Sequence, residues 1–370
     1  MRKRCFLITM IISLIFFAGC EKTSIKIGYV GGLTGTNSEL GVSGMYGAQL
    51  AVEAINHGGG INGRMLELIV KDDKDDKQVA LQVDQQLVEE GCLALVGHMT
   101  SNMAELTIPF IDENKILMIS PTIAASSLCG MDDYFLRLIP STEDQAKRIA
   151  MEIKKRELKD ILIFYSNGNL LFAQSLSDYL VEQLGDSDIQ VKMMESIKIQ
   201  DPSSYKDIAE NIDKIDAEGL VIIASADVVS NLGQELYLLN NQKNVFLPAW
   251  SMTNDLLRRG GAAVEGFYGV SFIDYSSEAE AYTEFKDLYQ KKYGEQPTFS
   301  SILSYESIMV LAEALKTAED FDSEALKNEI LKQSTFQGLQ STIKIDAFGD
   351  TERDIFLYQI NNNEFNKVEN

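Results

Sequence analysis

Apolar, β-branched runs alternate with stretches of helical periodicity along almost the whole chain. In the first half the apolar runs begin near Ile25, Met65, Cys92 and Ile116, and a second set begins near Asp160, Ile189, Gly219 and Asn244. Between them, segment 44–57 carries Ala48, Ala51, Val52 and Ile55 on one face, and segment 175–184 spaces Leu176, Tyr179, Leu180 and Gln183 in the same way. Such three- and four-residue spacing predicts helices. Strands that alternate with helices predict parallel sheets with right-handed crossovers. Four units in each block predict two similar α/β lobes rather than one large sheet.

Segment 134–140 (YFLRLIP) lies between the blocks, and 266–274 (GFYGVSFID) follows the second. Helical patterns resume at 279–293 and 300–318, and two short strand candidates, 341–346 and 354–360, finish the chain. A chain that leaves one lobe, builds another and returns crosses between them several times, and those crossings form a hinge. The expected division places 24–140 with 270–348 in the first lobe and 141–269 with 349–370 in the second. Two lobes facing each other across the carboxyl ends of their strands enclose a cleft, the favoured place for a small ligand.

Two strand ends carry hydroxyls in that position. The run starting at Cys92 opens into Thr100 and Ser101, and Asn102 with Glu105 three residues later reads as a helix start. Pro109 is expected to end or kink this helix early. The run starting at Ile116 leads into Ser120-Pro121-Thr122-Ile123-Ala124. Exposed N–H groups at a helix start attract anions, and an adjacent hydroxyl adds a donor, so these neighbouring loops can converge on one carboxylate. Capping of helices and satisfaction of turn amides would use the same residues, and the chemistry by itself leaves both readings open.

Composition narrows the partners. The 370 residues include 33 basic and 55 acidic ones, a net charge of −22 spread along the chain, which repels phosphate backbones and argues against nucleic acid. The first twenty residues differ in kind: Arg2-Lys3-Arg4, an apolar run from Cys5 to Gly19, then Cys20. That run is short for a membrane span and suits an export signal, expected to cover 1–19. Phe17-Ala18-Gly19-Cys20 resembles a bacterial lipoprotein cleavage box, which implies lipidation of Cys20 and a membrane anchor made of lipid alone. Of the remaining cysteines, Cys92 begins an apolar strand and reads as a small buried hydrophobe. A bridge to Cys129 stays open, because separation is not written in sequence.

The parts of an enzyme are missing. Gly28 to Gly35 holds four glycines but no Gly-x-Gly-x-x-Gly, there is no phosphate loop, and 41–45 misses a nucleophile elbow because Met45 stands where the last glycine belongs. His57 and His98 are the only histidines, without metal-pair spacing or a nucleophile partner. No catalytic residue, metal or cofactor is therefore expected, and His98 is assigned a structural role.

The segments IKIGYVGGLTG, GAQLAVEAIN, GGINGRMLELIVKDD, LVGHMTS and ILMISPT, in this order, resemble the amino-terminal half of the leucine/isoleucine/valine-type solute-binding proteins of bacterial ABC importers. The likeness continues more weakly through AVEGFYGVSF. It implies the type I periplasmic-binding-protein fold: two Rossmann-like α/β lobes with parallel sheets, a multi-strand hinge, and closure on the ligand. It also implies a site. Ser101 matches the position that binds the ligand carboxylate, with Thr100 adjoining. Thr122 and Ile123 match a stretch whose backbone meets the ligand, and at Ala124 a hydroxyl frequent in the family is missing. Phe172 falls where a ring packs on the ligand, and Leu40 near the apolar end of the pocket. Trp250 stands near the place of a carboxylate that binds an ammonium group. Tryptophan offers only cation–π attraction or stacking there, which leaves Asp227, beside Ala226, as the other candidate partner for a positive group.

The expectation is thus an extracytoplasmic, lipid-anchored, monomeric solute-binding protein that closes on a small ligand and delivers it to an ABC permease. A hydrophobic or aromatic amino acid comes first, with an amide, an aromatic acid or another small carboxylate as alternatives. A tethered sensor of the same fold is the rival function.

Overall fold

A computed structural model describes residues 23–35, 38–195 and 204–369. The expected export signal and Cys20 lie outside the described residues.

The first lobe is built from β1 (Ile25–Gly31), α1 (Ser38–His57), β2 (Leu66–Asp72), α2 (Lys77–Glu89), β3 (Ala94–Val96), α3 (Ala104–Asn114), β4 (Leu117–Ser120) and β5 (Phe135–Arg137). Its five strands are all parallel, in the order β2-β1-β3-β4-β5. β1 is buried along nearly its full length, as a parallel strand covered on both faces must be. Segment 134–140 thus supplies a fifth strand where the periodicity marked four.

The second lobe continues with α4 (Thr142–Lys155), β6 (Asp160–Tyr165), α5 (Leu170–Gly185), β7 (Gln190–Glu195), α6 (Ser204–Lys214), β8 (Gly219–Ile223), α7 (Ala226–Leu238), β9 (Asn244–Leu247), α8 (Asn254–Gly260) and β10 (Tyr268–Ser271). Local chemistry explains α4 well. Ser141 caps it by accepting from the Asp144 N–H, Glu143 and Asp144 sit in the first turn, and Lys154 and Lys155 sit in the last, each charge placed favourably on the helix dipole.

The chain then passes through α9 (Glu280–Tyr293), α10 (Phe299–Thr317) and α11 (Ser323–Gln333), which pack on the first lobe, with α10 lying along α1. A Cβ at Gly47 of α1 would stand 2.0 Å from the Ser301 carbonyl oxygen of α10, so this close crossing requires glycine. A small antiparallel sheet follows, β11 (Thr335–Gln337), β12 (Thr342–Ile345) and β13 (Thr351–Glu352). Finally β14 (Phe356–Asn361) and β15 (Glu364–Lys367) join the second lobe, whose sheet reads β15-β14-β10-β9-β8-β6-β7 with only β14 and β15 antiparallel to their neighbours. The strand candidates at 341–346 and 354–360 therefore end in different sheets.

The crossings between lobes are held by side chains. Arg137, fully buried, donates from Nε to Asp350 at 2.6 Å, from Nη1 to the Ala125 carbonyl at 3.0 Å and from Nη2 to the Cys129 sulfur at 2.8 Å. One guanidinium thus ties β5, the loop after β4 and the last crossing together. Cys92 and Cys129 are both free thiols, and no disulfide joins them. No described helix is long and apolar enough to cross a membrane.

Two local expectations are corrected. α3 continues through Pro109 to Asn114, because proline there removes a single intrahelical bond while the apolar face, with Thr107 and Ile111 buried, stays packed. Asn102 does not cap the helix. Its amide donates to the Gly168 carbonyl at 3.2 Å and accepts from the Leu171 N–H at 3.0 Å, both in the second lobe.

Candidate ligand-binding site

Most residues of the site follow the carboxyl end of a strand. β3 delivers Met99 to Ser101, β4 Thr122 to Ala124, β6 Asn169 and the start of α5, β8 Ser225 to Asp227, β9 Ala249 and Trp250, and β10 Phe272. The loop after β3 turns through Gly97 at φ +141°, where a Cβ would sit 2.2 Å from the Val30 carbonyl oxygen. Only glycine can take this turn.

The two loops of the first lobe are stapled together. Ser120 Oγ donates to the His98 carbonyl at 2.8 Å and accepts from the Ile123 N–H at 2.9 Å, while Thr122 Oγ1 donates to the Met99 carbonyl at 2.6 Å. The Ala124 N–H points at Ser101 Oγ, 3.4 Å away, a long contact in which the hydroxyl accepts and keeps its own proton to give. These two donors meet where the strand-end loops converge. Thr100 turns the other way, donating to Asp75 at 2.8 Å.

Behind the loops lies a fully buried His98. Its Nδ1 stands 2.7 Å from Asp73 Oδ2 and its Nε2 3.1 Å from Asp84 Oδ1, with both carboxylates out of water. Burial alone would push the imidazole down, but the charges of Asp84 and Asp73 and their hydrogen bonds prevail and hold it at about 10. An imidazolium between two aspartates fixes the backbone from which Met99 to Ser101 project.

Between the lobes is a small inner chamber lined by Leu40, Met99, Thr122 and Phe299 from the first side, by Asn169, Phe172, Ala249 and Trp250 from the second, and by Ile139, Gln145 and Phe272 near the crossings. Phe172 and Trp250 meet edge to face, ring centres 5.6 Å apart. The free volume is about 20 Å³, room for about one water. No carboxylate lines it. Leu40 and Trp250 separate it from an outer cavity of about 320 Å³, lined also by Ser38, Glu39, Ser225, Ala226, Asp227, Asp255 and Arg259.

The lobes touch through polar contacts around this chamber. Besides the Asn102 bonds, the Asn102 N–H donates to Asn169 Oδ1 at 3.2 Å, and Thr253 Oγ1 donates to Glu39 Oε2 at 2.9 Å. Burial, followed by the charge of Asp255, pushes the Glu39 carboxyl up to about 7 against the hydrogen bond from Thr253. Asp227 and Asp255 both pair with Arg259, at 2.9 and 3.1 Å, so much of the outer acidic wall is neutralised internally.

Of the residues singled out in the sequence, Leu40, Thr122, Phe172 and Trp250 line the inner chamber, and Ala226 and Asp227 line the outer cavity with Leu40 and Trp250. Ser101, Ile123 and Ala124 are buried beside the chamber and are not among its lining residues. Met99, Gln145, Asn169, Phe272 and Phe299 went unnoticed in the sequence. Gln145 had a signal: it interrupts the apolar stripe of α4 that carries Ala146, Ile149, Ala150 and Ile153. Among the described residues, no group of three or more His, Cys, Asp or Glu side chains is placed to hold a metal ion.

A two-lobed α/β chain with its chamber at facing strand ends has known counterparts. The family model described as "Periplasmic binding protein" matches residues 24–364. The chain belongs to the periplasmic binding protein family. This periplasmic binding protein is 23% identical over 356 residues to a "Leu/Ile/Val-binding protein homolog 1" of Brucella suis, with 95% of this chain and 94% of the relative covered. It is 22% identical to a "Leucine-, isoleucine-, valine-, threonine-, and alanine-binding protein" of Pseudomonas aeruginosa, over 91% of this chain and 90% of that one.

Among solved structures, the branched-chain amino acid transporter substrate binding protein of Streptococcus pneumoniae in complex with isoleucine superposes with a TM-score of 0.85 at 22% identity, covering 93% and 99% of the two chains. A solute binding protein of an ABC transporter from R. palustris in complex with benzoate superposes at 0.81 with 16% identity, covering 93% and 95%. These likenesses establish the type I fold, and family membership places the protein outside the cytoplasm. The family is defined by binding rather than by a reaction.

Proposed function

We propose that this protein is the solute-binding component of an ABC importer that captures a small carboxylate with an apolar body and hands it to a permease. The observation that carries the reading is the inner chamber: its walls come from both lobes, so a guest is gripped only when the lobes shut. In this conformation it has room for about one water, so a ligand enters an opened cleft and Phe172 and Trp250 settle around it. The uncommitted proton of Ser101 and the weakly engaged N–H of Ala124 would take the carboxylate. Thr122 has spent its hydroxyl on Met99 and would contribute backbone and apolar surface. A monomer tethered through Cys20 suits this role, since one chain supplies both walls of the chamber.

The ligand class spans hydrophobic and aromatic amino acids, in keeping with the branched-chain amino acids named for the relatives, and the matching acids without an ammonium group. Aromatic acids form a second group, favoured by the edge-to-face Phe172–Trp250 pair and by the lack of a carboxylate on the chamber wall. A thermal-shift screen of residues 21–370, after unfolding and refolding to strip co-purified solutes, tests the reading. Hydrophobic amino acids and aromatic acids are expected to raise the melting temperature, since a ligand at a hundred times its Kd adds about 2.7 kcal/mol. Stabilisation by sugars or cations alone would refute it.

Glu39 makes closure depend on pH. Its carboxyl is at about 7 in the closed form, and opening would return it to water and the ordinary carboxylate range. The closed form therefore holds the proton more tightly, and the contribution is gained as pH falls from 8 to 6. Affinity for the best ligand of the screen is expected to rise by about tenfold at most over that interval. Glu39→Gln should flatten the profile measured by calorimetry.

A further inference from the structure

The inner chamber carries one polar group with an unmet need. Gln145 projects from the first turn of α4, is fully buried, and lines the chamber with Thr122, Phe172 and Trp250. Its Oε1 accepts from the Ala249 N–H at 3.2 Å. A backbone N–H can only donate, so this bond fixes which end of the amide is oxygen. The other end, Nε2, is buried without a hydrogen-bond partner. An amide donor shut away from water and from any acceptor costs about 1–3 kcal/mol, and native structures seldom leave one without a use.

Resting on the reading of a small apolar carboxylate, we propose that Gln145 is a specificity-determining residue whose Nε2 donates to an oxygen acceptor on the ligand, selecting acids that carry such an oxygen and no ammonium. A carboxylate reaching the Ser101–Ala124 corner beside the chamber and an oxygen facing Gln145 on its wall would together satisfy both sets of donors. An ammonium group at that wall would face an N–H donor, with no carboxylate in the lining to neutralise it. The outer acids do not replace one: Leu40 and Trp250 stand between, Asp227 and Asp255 share Arg259, and Glu39 is turned to Thr253. The simplest ligands of this kind are 2-oxo acids, which set a carbonyl where an amino acid has its ammonium.

The test is calorimetric titration of the stripped protein with two matched sets: leucine, 4-methyl-2-oxopentanoate and 4-methylpentanoate, then phenylalanine, phenylpyruvate and 3-phenylpropanoate. In at least one set the oxo acid should bind about tenfold tighter than both of its counterparts, the upper range for a hydrogen bond. Gln145→Leu should erase the advantage of the oxo acid over the plain acid. Gln145→Glu, which keeps an oxygen for the Ala249 N–H, should shift preference toward the amino acid. Binding of the amino acid as tightly as the oxo acid by the unaltered protein overturns the inference even if neither variant folds, and so does an oxo-acid advantage that survives Gln145→Leu. Failure of all six compounds to bind would remove the proposed ligand class itself, an outcome distinct from binding without discrimination.

Discussion

His98→Leu is expected to lower the unfolding free energy by about 3–5 kcal/mol, the cost of leaving a buried charge without its counterion. Leucine fills similar space but strands Asp73 and Asp84, which are both out of water. Urea denaturation at pH 7 measures the loss, and a change below about 1 kcal/mol would show that the imidazolium is not what holds this corner. Replacing Asp84 by leucine as well should recover part of the loss, since one stranded carboxylate goes and the three residues act as a unit. The same group gives a pH signature. His98 holds its proton up to about 10 when folded, against about 6.5 in the unfolded chain. Its contribution is therefore complete below about pH 6.5 and fades as pH rises toward 10, and His98→Leu should remove that slope.

Ser101→Ala is expected to weaken ligand binding by about 1.5–3 kcal/mol, the range for a hydrogen bond to a charged group. The hydroxyl is fully buried, its oxygen faces the Ala124 N–H across the two strand-end loops, and its own proton is left to give. Folding should change far less than binding, because the bond lost inside the protein is a long one. Calorimetry with the best ligand of the screen measures the effect, and Ser101→Thr, which keeps the hydroxyl, should retain most of the affinity. An unaltered Kd in Ser101→Ala would move the carboxylate elsewhere in the chamber. Since Thr122 has already given its proton to Met99, the corresponding change at Thr122 should act through loop geometry and cost less.

The alternation of apolar runs with helical spacing determined the α/β class, the two lobes and the parallel sheets, because those features follow from periodicities local to each segment. The strand ends were legible for the same reason: knowing where β3, β4, β8 and β9 stop locates Ser101, Thr122, Ala226 and Trp250. Elements with weaker local signals escaped. β5 has three residues, and β15, unlike its partner β14, went unmarked because the turn between them runs through Asn362 and Asn363, both at positive φ, without the glycine that usually marks such a turn.

What only the tertiary structure decided is how polar groups are paired. Asn102 reads locally as a helix start and is claimed instead by Gly168 and Leu171 across the cleft. Thr100 and Thr122 both bring hydroxyls to strand ends, yet one is taken by Asp75 and the other by Met99. His98 is neutral by composition and charged by its two neighbours, which lie 25 and 14 residues earlier in the chain. Hydrogen bonding and charge depend on atoms within a few ångströms, whatever their distance in sequence. Periodicity therefore specifies which surfaces are buried, and only the folded chain specifies which donor is left for a ligand.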